Sequence, residues 1–166
     1  PGLQSIKDLG SLLQSPWKKE FFTLLGARRS LDAVEHGMIR APGAFDEPRI
    51  HFALNCAAAG CPMLRDEAFV ALRLEVQLED SARRFLADRT RNRYDPASRR
   101  LEISPIFDWY RADFEKGGQG LNSVPRFLAR YANSITDDTV AQALVREGKL
   151  PLRYLAYDWR LNDVSP

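Results

Sequence analysis

The most regular alternation of apolar and polar positions lies between residues 67 and 87, where Leu74, Leu78, Ala82 and Phe85 recur at the spacing of one helical face. That pattern predicts a long amphipathic helix, a scaffold element. Upstream, residues 6–13 read as a short helix stopped before Pro16. Residues 21–25 read as a buried strand closed by Gly26, and Ser30 reads as the N-cap of a helix over residues 31–39. Residues 49–55 alternate strictly, with Ile50, Phe52 and Leu54 on one face and Arg49, His51, Ala53 and Asn55 on the other. Bounded upstream by Pro48, this is the best candidate for a central strand.

Further along, Tyr94 and residues 101–103 flank an Asp95-Pro96 turn and predict a hairpin. Pro105 then opens a helix carrying Ile106, Trp109, Tyr110 and Phe114. A loop over residues 117–120, two helices over residues 124–131 and 137–146, and a last strand over residues 152–161 complete the chain. Strands separated by helices in varied number predict an α+β fold: a small, mostly antiparallel central sheet with surrounding helices. At 166 residues one domain spanning 1–166 is expected, large enough to bury about 70% of the unfolded chain's surface.

Composition narrows the function classes. Hydrophobic residues at 45% and charged residues at 28% suit a soluble globular protein, and no apolar run approaches the ~20 residues of a membrane span. A formal net charge of +2 is too small to imply nucleic-acid binding, and the arginine-rich stretch between Arg83 and Arg100 is interleaved with Asp88 and Asp95 and flanked by Glu79, Asp80 and Glu102 as a mixed surface. Pro1 cannot be a natural start, so an upstream segment is expected to be missing.

The candidate chemistry is concentrated. The chain has two cysteines and two histidines, and three of these four lie between His51 and Cys61, after the predicted strand. Cys56 is followed by the small residues Ala57 to Gly60, which allow close approach to a ligand. Cys61 precedes Pro62, so a helix starting there would make Cys61 an N-cap with a depressed thiol pKa. Glu35 falls on the apolar stripe of the helix over residues 31–39, aimed at the core, with His36 at the stripe's edge. A thiol enzyme needs a base within reach of the sulfur and an acid or amide behind the base, roles that His36 or His51 and Glu35 or Asn55 could fill. Arg49 and Asn55, on one face of the predicted strand, are candidate substrate-binding residues. Cys-x4-Cys is neither the thioredoxin nor a recognised zinc spacing, so neither a metal nor a cofactor is expected. Cys56 and Cys61 are also close enough in sequence to form a disulfide.

Six motifs in one order carry a family resemblance: Ser5-Ile-Lys-Asp-Leu9, Ser15-Pro-Trp17, Ser30-Leu-Asp-Ala-Val-Glu-His36, Arg49-Ile-His-Phe-Ala-Leu-Asn-Cys56, Cys61-Pro62 and the segment over residues 104–114. With the closing Tyr157-Asp-Trp-Arg-Leu-Asn162, they resemble the DUF547 family over nearly the whole chain. The family's pattern also has an upstream Trp-x-Asn-x-Tyr-Asn helix, not present in this sequence. The resemblance implies a fold like that of the papain and transglutaminase thiol enzymes, with the order of its parts permuted, and a periplasmic or secreted protein. It centres on Cys56 and on the Glu35-His36 pair, whereas local physics favours Cys61 and proximity favours His51. The resulting expectation is a thiol-dependent hydrolase or acyltransferase acting on an amide or isopeptide of a peptide or of a small thiol peptide such as glutathione. Cys56, His36 and Glu35 rank first in that reading, with Cys61 and His51 beside them. The alternative is a non-catalytic module that binds such a peptide or thiol and uses its cysteines structurally.

Overall fold

The computed structural model describes residues 2–10, 15–116 and 120–163, in two compact units. The first unit takes the described residues of Pro1–Asp46, Cys56–Ala59 and Asp158–Pro166; the second takes Glu47–Asn55 and Gly60–Tyr157. The mixed α+β class expected from the sequence is what the chain adopts. The end of the first predicted helix and most of the loop over residues 117–120 lie outside the described residues.

In the first unit, strands β1 (Phe22–Leu24) and β2 (Ala27–Arg29) form an antiparallel hairpin. Leu25 and Gly26 at its tip both have positive φ, 52° and 77°, the backbone of a two-residue turn whose twist matches the strands. The hairpin is half exposed, unlike the buried strand predicted. Ser30 does cap helix α1 (Leu31–Val34), accepting a hydrogen bond from the Ala33 amide at 3.1 Å. The helix continues through a wider π turn over Glu35–Ile39, closed by Arg40 N–H to the Glu35 carbonyl at 2.8 Å. The chain's end is tied in by main-chain bonds: the Leu161 amide donates to Gln4, the Asn162 amide to Ala57, and the Ala59 amide to Arg160.

The second unit holds the aromatic core. Helix α2 (Leu74–Ala87) is shorter than the span over residues 67–87 expected: it buries Leu78, Ala82 and Phe85 of the predicted face and Leu86 besides, while Leu74 is exposed, and a short 3₁₀ turn over Ala71–Arg73 leads into it. Strands β3 (Arg93–Asp95) and β4 (Arg100–Ile103) form the predicted hairpin, and β5 (Leu152–Tyr154) adds to β4 in parallel. Helices α3 (Ile106–Trp109), α4 (Arg111–Glu115), α5 (Val124–Arg130), α6 (Ala132–Ile135) and α7 (Thr139–Glu147) pack around them. Ser123 and Asp138 cap α5 and α7 through side-chain oxygens, and Gly148 ends α7 at a φ of 68°.

One correction bears directly on function. Residues 49–55 are not a strand: Pro48–Phe52 is a 3₁₀ helix. Pro48 presets its first φ, and the Glu47 side chain caps it by accepting from the Arg49 amide at 2.9 Å. Burial follows a period of three, with Pro48 and Arg49, then His51 and Phe52, inside and Ile50 between them less so. Alternation of polar types was therefore a poor guide, because the buried polar residues here are paired.

Candidate thiol and histidine site

Phe52 fixes the position of the 3₁₀ helix. Its ring packs among Phe85, Phe107, Phe114 and Phe127, with centroids 5.0 to 6.2 Å away. The residue before it, His51, is thereby held inside the unit, stacked on Tyr110 at 3.9 Å between centroids and 22° between planes. Its Nε2 lies 2.8 Å from Oδ2 of Asp113 on α4. The His51 side chain is 1% exposed and that of Asp113 9%.

A buried carboxylate needs charge and donors around it. Asp113 has both, taking the His51 ring on one oxygen and Lys116 Nζ on the other at 2.9 Å. Bonding of Nε2–H to Asp113 puts the lone pair of a neutral ring on Nδ1, so the carboxylate fixes both tautomer and orientation. This is the relation of base and orienter found in nucleophilic enzymes. Asp113 was missed in the sequence, where Glu35 and Asn55 stood as orienters.

Cys56 and Cys61 are both disulfide-bonded. No helix begins at Pro62, so Cys61 is not an N-cap, and the argument for thiolate stabilisation by a helix dipole does not hold. What Cys61 has instead is Tyr157, whose hydroxyl donates to its sulfur at 3.2 Å. Burial pushes the Tyr157 pKa up to about 12, so its hydroxyl stays protonated and able to donate. Cys61 is 3% exposed, whereas Cys56 is only half-buried. Ala57, next to Cys56, has a φ of 62°, which is left-handed backbone uncommon for alanine.

Residues at the end of α3 touch both parts. Trp109 packs on Tyr157 at 4.8 Å, and the next residue, Tyr110, stacks on His51. Within the second unit, two consecutive aromatic residues thus touch one member of each pair, Trp109 the Tyr157 ring and Tyr110 the His51 ring. Gly60 makes room for this: a Cβ there would lie 2.9 Å from Tyr157 Cε2. Asn55 donates its side-chain amide to the Pro62 carbonyl at 2.8 Å.

The other sequence candidates lie elsewhere. Glu35 is half-buried on the π turn, not aimed fully into a core. His36 is exposed, with Nδ1 against the Arg40 guanidinium and Nε2 3.8 Å from Asp32. Arg49 is buried and its five N–H groups face Glu47, Glu75 and Glu79 at 2.6 to 3.4 Å. The hydrogen bonds that it donates to Glu47 first, then to Glu75, push its pKa still higher and keep it charged. Its donors hold the 3₁₀ helix to α2.

Among the described residues no cluster of three or more His, Cys, Asp or Glu could hold a metal ion, and no helix is long and apolar enough to cross a membrane. No curated protein and no solved structure matches the chain. The sequence model of one family, described as Protein of unknown function, DUF547, matches residues 4–86. The match covers half of the chain and includes Glu35, His36, His51, Cys56 and Cys61, while Asp113 and Tyr157 lie beyond it. The chain belongs to the DUF547 family.

Proposed function

We propose that this protein is a thiol-dependent hydrolase or acyltransferase acting on an amide or isopeptide of a peptide or small thiol peptide, with Cys61 as nucleophile, His51 as base and Asp113 as orienter. The observation that carries the reading is the His51–Asp113 pair at 2.8 Å, an imidazole held by a buried carboxylate in the unit that also holds Cys61. The disulfide must first be opened. The Cys61 thiol then gives its proton to His51, and the sulfur attacks the carbonyl carbon. As the C–N bond breaks, His51 returns the proton to the departing amine. Water or a second amine then releases the acyl group from Cys61.

The test compares reduced wild type with C56S, C61S and H51N on a panel of peptide amides, isopeptides and glutathione, reading amine release and acyl mass on the protein. C56S should stay active, while C61S and H51N should lose at least about 10²-fold. Full activity in C61S would end the reading.

The disulfide itself favours a second reading, a binding module in which the cysteines are structural. That reading expects calorimetric binding of a peptide or glutathione by the oxidised protein, unaffected by H51N and without turnover.

A further inference from the structure

We infer that Tyr157 is a further catalytic residue of the proposed site: its hydroxyl holds the Cys61 thiolate by a direct hydrogen bond to the sulfur. The inference deepens the reading of Cys61 as nucleophile and rests on it for its catalytic meaning. The hydrogen bond itself is a contact within the second unit.

The donor stands 3.2 Å from the sulfur while Cys61 is still disulfide-bonded. It is therefore in place before any thiolate forms, and a donor held in advance costs no reorganisation when charge appears on the atom it faces. Two neighbours hold the ring. Trp109 packs on it at 4.8 Å between centroids and 54° between planes. Gly60, the residue before Cys61, has no side chain, and a Cβ there would lie 2.9 to 3.0 Å from Cε2, Cδ2 and Cζ of the ring, the last being the carbon that bears the hydroxyl. The ring fits against the chain beside the sulfur because that position is glycine.

Charge decides what the bond is worth. A neutral sulfur is a weak acceptor, whereas a hydrogen bond to an ionised acceptor is about twice as strong as one between neutral groups. The hydroxyl thus favours the thiolate over the thiol, and the thiolate is the nucleophile. It can do so at any pH where the thiolate forms, because burial pushes its own pKa up to about 12 and it stays a donor. The two groups then have separate parts: His51 takes the proton, and Tyr157 holds the charge left on sulfur.

The experiment uses the full chain as C56S, in which Cys61 is the only thiol, and compares it with the double variants C56S/Y157F and C56S/G60A. Ultraviolet absorbance of the thiolate is followed against pH, and amine release is profiled over the same range. Y157F keeps the ring and loses the donor, whereas G60A keeps the donor and displaces the ring. In both, the pH midpoint of thiolate formation should rise by about one unit, a roughly tenfold smaller ratio of thiolate to thiol at a given pH. The acid limb of the kcat/KM profile should move with it. A side chain that only packed would lower the rate at every pH and leave the midpoint in place. An unchanged midpoint in folded Y157F, or in G60A should Y157F not fold, overturns the inference, and amine release by C56S then leaves the functional reading standing. A raised midpoint with no amine release from C56S supports Tyr157 as the holder of the thiolate and overturns the functional reading alone.

Discussion

Removing the Asp113 carboxylate gives a magnitude that can be worked out group by group. In Asp113→Ala the His51 Nε2–H, in a side chain only 1% exposed, loses its acceptor at 2.8 Å. A buried donor left unsatisfied costs about 1–3 kcal/mol. Lys116 also loses its partner at 2.9 Å, but it is 39% exposed, so solvent screening limits that loss to about 0.5 kcal/mol. The sum is about 1.5–3.5 kcal/mol. Asp113→Asn keeps one oxygen that can accept from Nε2–H and loses the charge and the acceptor for the half-exposed Lys116, so it should cost about 1 kcal/mol or less. Urea unfolding followed by circular dichroism measures both variants, with an unchanged m-value as the sign that the folded state is intact. A D113A variant within 0.5 kcal/mol of wild type, or no more destabilised than D113N, would refute the claim that Asp113 holds a buried imidazole.

Three further outcomes follow from the geometry. Phe52→Ala removes the ring at the centre of the aromatic cluster and should lower stability by about 3–5 kcal/mol in the same urea assay. Gly60→Ala puts a Cβ 2.9 Å from the Tyr157 ring and should displace it, lowering stability by about 1–3 kcal/mol in the urea assay. The Glu67 pKa is lowered from 4.5 to about 2, first by a hydrogen bond from Gln77 and then by one from Arg65. A depressed carboxylate stabilises the fold above its unfolded pKa and loses that effect as pH falls, so acid titration between about pH 4.5 and 2 should destabilise wild type more than E67Q.

What was legible in the sequence was periodic and local. The α2 stripe from Leu78 to Phe85, the hairpin around Asp95-Pro96 and the Ser30 cap depend on neighbours a few residues away, and each formed where its pattern lies, although the helix begins at Leu74 and leaves that residue exposed. The segment around His51 was misread because its polar residues are buried and paired across the chain: Arg49 with Glu75 on α2, His51 with Asp113 on α4. Alternation then reports side-chain type and not which face is wet. Asp113 did leave a signal. Counting about 100° per residue from Ile106 puts it within about 20° of that buried position, the same reasoning that singled out Glu35. Nothing local, by contrast, announced that Tyr157 would meet Cys61 from 96 residues away.

The central claim is that Cys61 and His51 act together, and thiol reactivity tests it most directly. Fully reduced, folded protein is treated with iodoacetamide below pH 7, and modification of each cysteine is followed by mass spectrometry in wild type and in H51N. The account predicts that Cys61 is modified much faster than Cys56 in wild type and that this lead disappears in H51N. Equal, slow labelling of both cysteines, or a Cys61 lead untouched by H51N, would contradict it.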